Sequence, residues 1–563
     1  MAWGAWVVWT VSSVLADAAS AREELRAVRS DLDARSILES EALDELAPYS
    51  QRFAHIGDRL DNPLLAPLRV LPVVGRQLAA ASHQATAAAD GLSAAVDLGH
   101  ELQQTVDGGL GAGPTRVETL HEVASIARRA RTTFDGLDLG PHDALVGPVA
   151  TARNEMDETL TEVLDGLDRT ELMSVGLADF FEGPGDYLLL AANNAQMQNG
   201  QGMFLSGGVL HVEAGRMDLG SMQPLDHVPE VEPPVPLDPD LLARWGWLDP
   251  NHDVRHLGLS HRFPVTADTA SRIWTALGNT PVDGVVVVDP VMLRVIMEAT
   301  GPVQTTEGEH SRDDVLEFVL HGQYQGYLAD GADRSYTEER RDELDEIART
   351  VLEELEDVEE LEPEFLDSFR SAASGRHLLM WSADRTVQAA FEAADLDGQI
   401  SPDSLLLSLV NRSGVKLDWF IRMAADLSIE RHGDVYEAEL EIEVTNRAPS
   451  EGEPRYVVGP YRGSGLDRGE YLGLVTVNLP VGSTNNRFEV DDPLAVAGPD
   501  GDNRTVATWV RVKRGATARI VVRFELPASM AEVLIEPSAR AFPTAWSYNG
   551  KQWKDRERRT VAL

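Results

Sequence analysis

Three clusters of residues have the types and spacing that site chemistry asks for. His252, His256 and His261 fall within ten residues and invite a metal. A zinc clamp of the H-E-x-x-H type needs one helix to bring its histidines together and a glutamate between them. Here Asn251 follows a proline, Gly258 intervenes and no glutamate separates the histidines, so a polar loop or pH-sensitive surface is the better reading. Gly200-x-Gly202 and Ser206-Gly207-Gly208 have the composition of a phosphate cradle. The dinucleotide fingerprint needs three spaced glycines between a strand and a helix, and another strand follows here, so hairpin turns are the simpler use. Asp395-x-Asp397-Gly398 starts like a calcium loop, lacks the later glutamate and reads as a turn. Neither a G-x-S-x-G elbow nor a phosphate-loop motif occurs, and no serine, histidine and acid set stands out.

The chain has 563 residues, 43% of them hydrophobic and 25% charged, which is globular composition. It contains no cysteine, which removes disulfides, thiolate catalysis and cysteine-ligated metals. Lysine and arginine total 49 against 92 acids, a formal charge of −43 that opposes binding to nucleic acid. No metal or cofactor is expected.

Positioning elements follow from periodicity. Residues 17–175 read as helix: Leu25, Val28 and Leu32 share a face, 76–105 is alanine-rich, and 115–135 and 143–175 follow the glycine break at 108–114. This predicts a helical stalk or antiparallel bundle. From 176 to 404 strands and helices alternate: the apolar run Tyr187–Ala192 reads as a strand buried on both faces, Val282–Asp289 as another, and 266–277 and 291–299 as helices. The stripe Leu344, Ile347, Val351, Leu355 and Val358 marks the inner face of a helix whose acids are solvated. From 405 to 563 the pattern is β, with Ala438, Leu440, Ile442 and Val444 alternating with glutamates. The expected fold is multidomain α+β: helical stalk or bundle, central α/β layer domain, and an immunoglobulin-like β-sandwich.

The opening MAWGAWVVWTVSSVLA carries no charge before Asp17. Its helical length, about 24 Å, falls short of the hydrocarbon core, while Trp3, Trp6 and Trp9 suit an interface. A membrane anchor over residues 1–19 whose start lies upstream, an export signal, and a buried helix end compete. The anchor, with the rest of the chain outside the cell, is the expectation.

The central motifs resemble those of the domain-of-unknown-function family 4012, found mainly in actinobacterial envelope proteins. The matching residues are Asn193-Asn194, Asp283-Gly284, Asp289-Pro290, Gly301-Pro302-Val303, Trp381-Ser382 and Lys416-Leu417-Asp418. The resemblance implies a single-pass extracytoplasmic protein of the cell envelope and brings no established activity. Arginine expected from that family is absent at Gly185-Asp186 and Gln198.

A more distant similarity is to the LytR–CpsA–Psr ligases, which transfer lipid-linked glycopolymers. It implies Arg312, Arg340 and Arg341 as phosphate clamps and Asp283 and Asp289 as metal ligands. The bland readings are solvated helix charges for the arginines, a helix cap for Asp289 and a turn for Asn193 and Asn194. Residues 176–233 hold one arginine, Arg216, and no lysine, which argues against handling a pyrophosphate there. A non-enzymatic scaffold or binding protein in envelope assembly leads, with a cell-wall glycopolymer or envelope protein as partner. A transferase and a ligand-binding sensor are the alternatives.

Overall fold

The computed structural model describes residues 17, 20–21, 23–24, 43–106, 109, 111–225, 230–327, 334–358, 362–489 and 494–563. The chain forms two compact units, Met1–Asp179 and Phe180–Leu563.

The first unit is helical. Helix α1 (Ala47–Leu60) buries Phe53, Ile56, Gly57 and Leu60, the i, i+3, i+4, i+7 stripe of an amphipathic helix. It lies on α2 (Pro72–Val106), whose buried positions are mostly alanine, serine and glycine. Short side chains let the two backbones approach closely. Helices α3 (Pro114–Asp135) and α4 (Gly147–Glu182) complete the set and are tied by Arg128–Glu171 at 2.8 Å. Pro72 and Pro114 stand at helix starts, where a missing N–H costs nothing. The stripe at Leu25, Val28 and Leu32 and most of the anchor segment 1–19 lie outside the described residues. Among the described residues no helix is long and apolar enough to cross a membrane.

The second unit begins with a mixed sheet. Its main strands are β1 (Gly185–Met197), β2 (Gly202–Glu213), β3 (Arg216–Leu219), β4 (Gly284–Val288) and β5 (Leu378–Ser382), in the order β3-β2-β1-β4-β5, and the two-residue strand Gln223–Pro224 also pairs with β2. β1 pairs antiparallel with β2 and parallel with β4, and β5 runs antiparallel to β4. The continuous apolar run predicted at 187–192 is fully buried on one face only, with Leu189 and Ala191 half-buried on the other, because alternate residues serve different layers. Leu188, Leu190 and Ala192 pack with Val285, Val287 and helix α5 (Phe263–Ala276). Leu189, Ala191 and Asn193 face the other way, toward a cavity also walled by α6 (Pro290–Thr300) and α7 (Arg334–Glu356).

Two six-stranded sheets form the C-terminal part, as the β pattern predicts. One carries β6 (Ser404–Asn411) and the other β7 (Ile421–His432) beside β8 (Val435–Asn446). In β8, Ala438, Leu440, Ile442 and Val444 are buried, while Glu439 pairs with Arg523 and Glu443 with Arg519. Both sheets include parallel pairs, β7 with Ala545–Tyr548 and β6 with Glu532–Glu536, so the sandwich is larger and more mixed than an immunoglobulin-like one. Its core also takes in Met197, Tyr324 and Tyr327 from the α/β layer, which joins residues on both sides of the expected boundary at 404 into one unit.

Candidate functional site

A cavity of about 770 Å³ opens between the cavity face of the sheet and α7. One wall is apolar: Leu189 and Ala191 from β1, Met203 and Leu205 from β2, Leu293 and Ile296 from α6. The facing wall is the stripe Leu344, Ile347, Val351 and Leu355 of α7, about 16 Å long at the rise of an α-helix. The stripe was legible as an inner face. What it faces is partly open space.

The N-terminal end of α7 changes the chemistry. Arg340 Nη1 donates to Gln323 Oε1 at 2.6 Å and Nε to the Tyr327 hydroxyl at 3.3 Å, and its guanidinium lies 5.4 Å from the Tyr324 ring centre. Lys416 reaches the same ring from the opposite element: its Nζ is 5.2 Å from the Tyr324 centre and donates to Gln196 Oε1 at 2.6 Å. Tyr327 stacks on Tyr456 at 4.4 Å, and Tyr456 lies 5.3 Å from Tyr324. Burial pushes the Tyr324 phenol up, so it stays neutral and its oxygen accepts from Asn193 Nδ2 at 3.1 Å. Arg341, Arg455 and Arg462 also line the cavity. Two cations from separate segments, Arg340 and Lys416, therefore meet at the Tyr324 ring.

Two carboxylates lie on the cavity wall, Asp289 and Asp345, and both are engaged. Asp289 Oδ1 accepts from Val291 N at 2.8 Å and Met292 N at 3.1 Å, which caps α6. Its Oδ2 takes His377 Nδ1 at 2.6 Å and Asn194 Nδ2 at 2.7 Å. Asp345 accepts from Met222 N at 2.7 Å and pairs with Arg349 at 3.2 Å.

A second carboxylate knot fixes Lys416. Asp418 is buried; its Oδ2 accepts from Met197 N at 3.1 Å and Asn411 Nδ2 at 2.6 Å, and its Oδ1 from the Tyr471 hydroxyl at 3.1 Å. Arg540 Nη1 stands 3.5 Å away. The turn that carries Lys416 is thus bolted both to the end of β1 and to the sandwich. Gly202 serves the same end of β1: a Cβ there would come within 2.4 Å of the Asn193 backbone, so only glycine lets β2 close over Asn193.

The sequence-derived candidates divide. Asn193, Asp289, Arg340 and Arg341 line the cavity, and Asn194 supports it through Asp289. Asp283 and Arg312 do not belong. Asp283 lies at the far end of β4 from Asp289, roughly 20 Å away by strand geometry, and its Oδ2 accepts from Asp186 N, so the two acids cannot share a metal. Arg312 is exposed and faces Glu298 and Asp313 at 3.6 and 3.8 Å. Among the described residues no group of histidines and acids could hold a metal ion. His261 is instead buried against Asp500 and Ser408, and His252 faces Glu232. The objection drawn from an arginine-poor stretch is also corrected, because the cations arrive from 340–341, 416 and 455–462 rather than from 176–233.

Sequence reasoning passed over Lys416 as a ligand group, along with Arg455, Arg462 and the tyrosines. One signal was present: Lys416 is the first lysine of the chain, and the other three lie at 513, 551 and 554. Tyr324-x-x-Tyr327 and Tyr456–Tyr461 were another, since four of ten tyrosines fall in those two short segments.

The chain thus joins a mixed α/β layer, with an apolar cavity that carries cations and tyrosines, to a β-sandwich. Within it, residues 182–324 match the family model described as a protein of unknown function (DUF4012). That segment spans the sheet wall and ends at Tyr324, while α7 and Lys416 lie beyond it. Neither a curated protein nor a solved structure matches the chain.

Proposed function

We propose that the chain is a binding protein of the cell envelope whose α/β layer holds an amphiphile with an anionic, phosphate-type head. The observation that carries this reading is the two-part cavity, an apolar slot with Arg340 and Lys416 at the Tyr324 ring and Arg341 also on its lining. Each methylene buried in such a slot contributes about 0.8 kcal/mol, and charge-assisted hydrogen bonds to a head group about 1.5–3 kcal/mol each. The net charge of −43 would repel a free anion from most of the surface. A local set of cations is therefore a selective feature. The engaged state of Asp289 and Asp345 supports binding over group transfer, since neither carboxylate is poised to take a proton or hold a metal. The apolar run 1–16 suits an anchor that keeps such a protein close to its lipid.

Native mass spectrometry of the full chain, before and after addition of dodecyl phosphate, tests the reading. The expected result is a co-purifying anionic lipid or stoichiometric uptake of the probe. A protein that carries nothing and takes up no dodecyl phosphate overturns it.

A further inference from the structure

The helical unit carries an apolar surface that its own fold leaves uncovered. Between Asn62 and Gly75 the chain reads NPLLAPLRVLPVVG, and Leu64, Val70 and Val73 are 54%, 82% and 66% exposed. Val146 joins them: its N–H donates to Gln77 Oε1 at 3.1 Å, and Arg76 and Gln77 donate to the carbonyls of Asp143 and Ala144. Exposed apolar groups scattered singly need no explanation, but a contiguous set of this kind marks a surface for a partner or a membrane.

The charges here depart from the rest of the molecule. No acid occurs from residue 62 to residue 89, in a chain with 92 of them, and Arg69 and Arg76 are the charged residues of that stretch. Arg69 pairs with Asp61 at 2.5 Å and Arg76 donates to the carbonyl of the exposed Asp143, so the patch is close to neutral in a chain of formal charge −43, and the arginine stems can lie along the apolar layer.

Two ion pairs fix where Asp17 and Glu24 sit on α1. Asp17 pairs with Arg59 at 2.7 Å and Glu24 with Arg52 at 2.8 Å. Asp17 therefore lies at the Leu60 end of α1. Ala21 is buried among Phe53, Ile56, Leu60 and Leu78. Asp17, which follows the uncharged stretch 1–16 in sequence, thus stands at the end of α1 where the connector Asn62–Leu71 begins. The flanks of residues 25–42 lie toward the other end, Glu24 at Arg52 and Leu43 against Gly99.

We infer that Leu64, Val70, Leu71, Val73, Val74 and Val146 form a membrane-interface tip, seated in the headgroup layer of a lipid bilayer at the end of the bundle that holds Asp17. This inference stands apart from the reading of the α/β cavity and is unaffected if that fails. The energetics are those of shallow insertion, in which apolar side chains leave water while the backbone stays within reach of headgroups.

The absence of cysteine allows a clean test on the full chain. Val73→Cys and, as a control, Gln104→Cys are each labelled with an environment-sensitive fluorophore. Position 104 lies on the same helix, roughly 46 Å from position 73. Each protein is mixed with vesicles of phosphatidylcholine and phosphatidylglycerol that carry lipid-bound quenchers. The expected result is a blue shift and severalfold quenching at 73, none at 104, and loss of the effect at 73 on adding Val70→Asp and Val74→Asp. Three outcomes overturn the inference. One is an unquenched label at 73, whether or not the protein floats with the vesicles. Another is equal quenching at 73 and 104, which would lay the bundle flat. The third is a label at 73 already shielded before vesicles are added, which would make a second copy the occupant.

Discussion

The molecule holds two large cavities, and they differ in everything except size. The one in the helical unit is about 980 Å³ and the one in the α/β layer about 770 Å³. The first is lined by alanine, leucine, valine and glycine from α1 to α4, with Glu155, Glu158 and Glu162 among its residues and no lysine or arginine. Helices that meet through alanine approach closely at some levels and leave gaps at others, so open volume is a by-product of small side chains. The second has fewer small residues and a set of polar groups that converge from distant segments. Volume alone therefore says little about ligands. Convergence of charges and hydroxyls that packing does not require is the sign of a site.

Blocking each cavity sharpens this contrast, and the largest effect belongs to the α/β layer. Ala348, one turn from Leu344 on α7, lines its cavity. Ala348→Trp should abolish uptake of dodecyl phosphate and of dodecanol alike, as read by titration calorimetry, while the near-ultraviolet dichroism stays that of a folded protein. Undiminished uptake in a folded variant would place the ligand elsewhere. Replacing the charges should separate head from tail. Arg340→Met removes the donor to Gln323 and Tyr327, and is expected to weaken dodecyl phosphate on the order of tenfold to a hundredfold. Dodecanol should change less than about twofold in the same variant, because the alcohol makes no charge-assisted bond. Equal losses for both probes would mean that Arg340 supports the cavity's shape and not the head group.

These residues also show what could be read from the sequence. The strand at 187–192, the inward stripe of α7 and the alternation in β8 were all legible, since each is a local pattern of period 2 or 3.6. Asp289 was legible both as cap and as candidate, because an acid before proline at a helix start has a local reason to be there. The cation cluster was not legible. Arg340 and Lys416 are separated by tens of residues, and only the Asp418 knot and the shared sandwich core bring them to the one ring of Tyr324. Counting arginines in a window around β1 failed for the same reason. Arg312 was named as a phosphate clamp only under the distant ligase resemblance, with no pattern to say which way it faces, and it faces Glu298.

The two units differ as well in how they carry buried charge, and within the second unit the buried carboxyls respond to acid with opposite signs. In the helical unit the groups with displaced pKa values, Glu24 and Arg131, are surface groups. In the second unit burial pushes Asp397 and Asp555 up to about 6. Burial also works to raise Asp500, but His261, Arg244 and Arg262 outweigh it and hold that carboxyl well below the ordinary range. For Asp397 and Asp555 the folded state binds its proton more tightly than the unfolded chain. Stability is therefore gained as pH falls from above 6 to about 4, by at most about 3 kcal/mol each. Asp500 has the opposite sign: its contribution is complete above the ordinary carboxylate pKa and is lost as pH falls through its depressed one. Half-buried His256 and buried His261 oppose the gain, because burial lowers their pKa values and the unfolded chain takes up their protons first as pH falls. The carboxyl contributions are therefore read from variants. Eight of the eleven tryptophans lie after residue 180, so their fluorescence in urea unfolding reports mainly on this unit. Relative to the parent chain, Asp555→Asn should remove part of the gain between pH 6 and 4, and Asp500→Asn part of the loss below 4. Variants whose pH profiles run parallel to that of the parent would break the contrast.

The smallest effect is expected where the helical cavity is filled. Ala88 on α2 lines it and is half-buried. Leucine at this position would put new apolar surface into contact with Leu92 and the facing helices without displacing a hydrogen-bonded group. Filling such a gap typically contributes about 0.5–2 kcal/mol, which is a rise of roughly 2–6 °C in Tm for a unit of this size. Binding of dodecyl phosphate should not change, since the α/β cavity lies in the other compact unit. The two readouts decide different questions. A higher Tm with unchanged uptake identifies the helical cavity as loose packing that evolution has left unfilled. Lower uptake after Ala88→Leu would show that the helical cavity holds ligand as well, and that an alanine-lined space without cations can be a site after all.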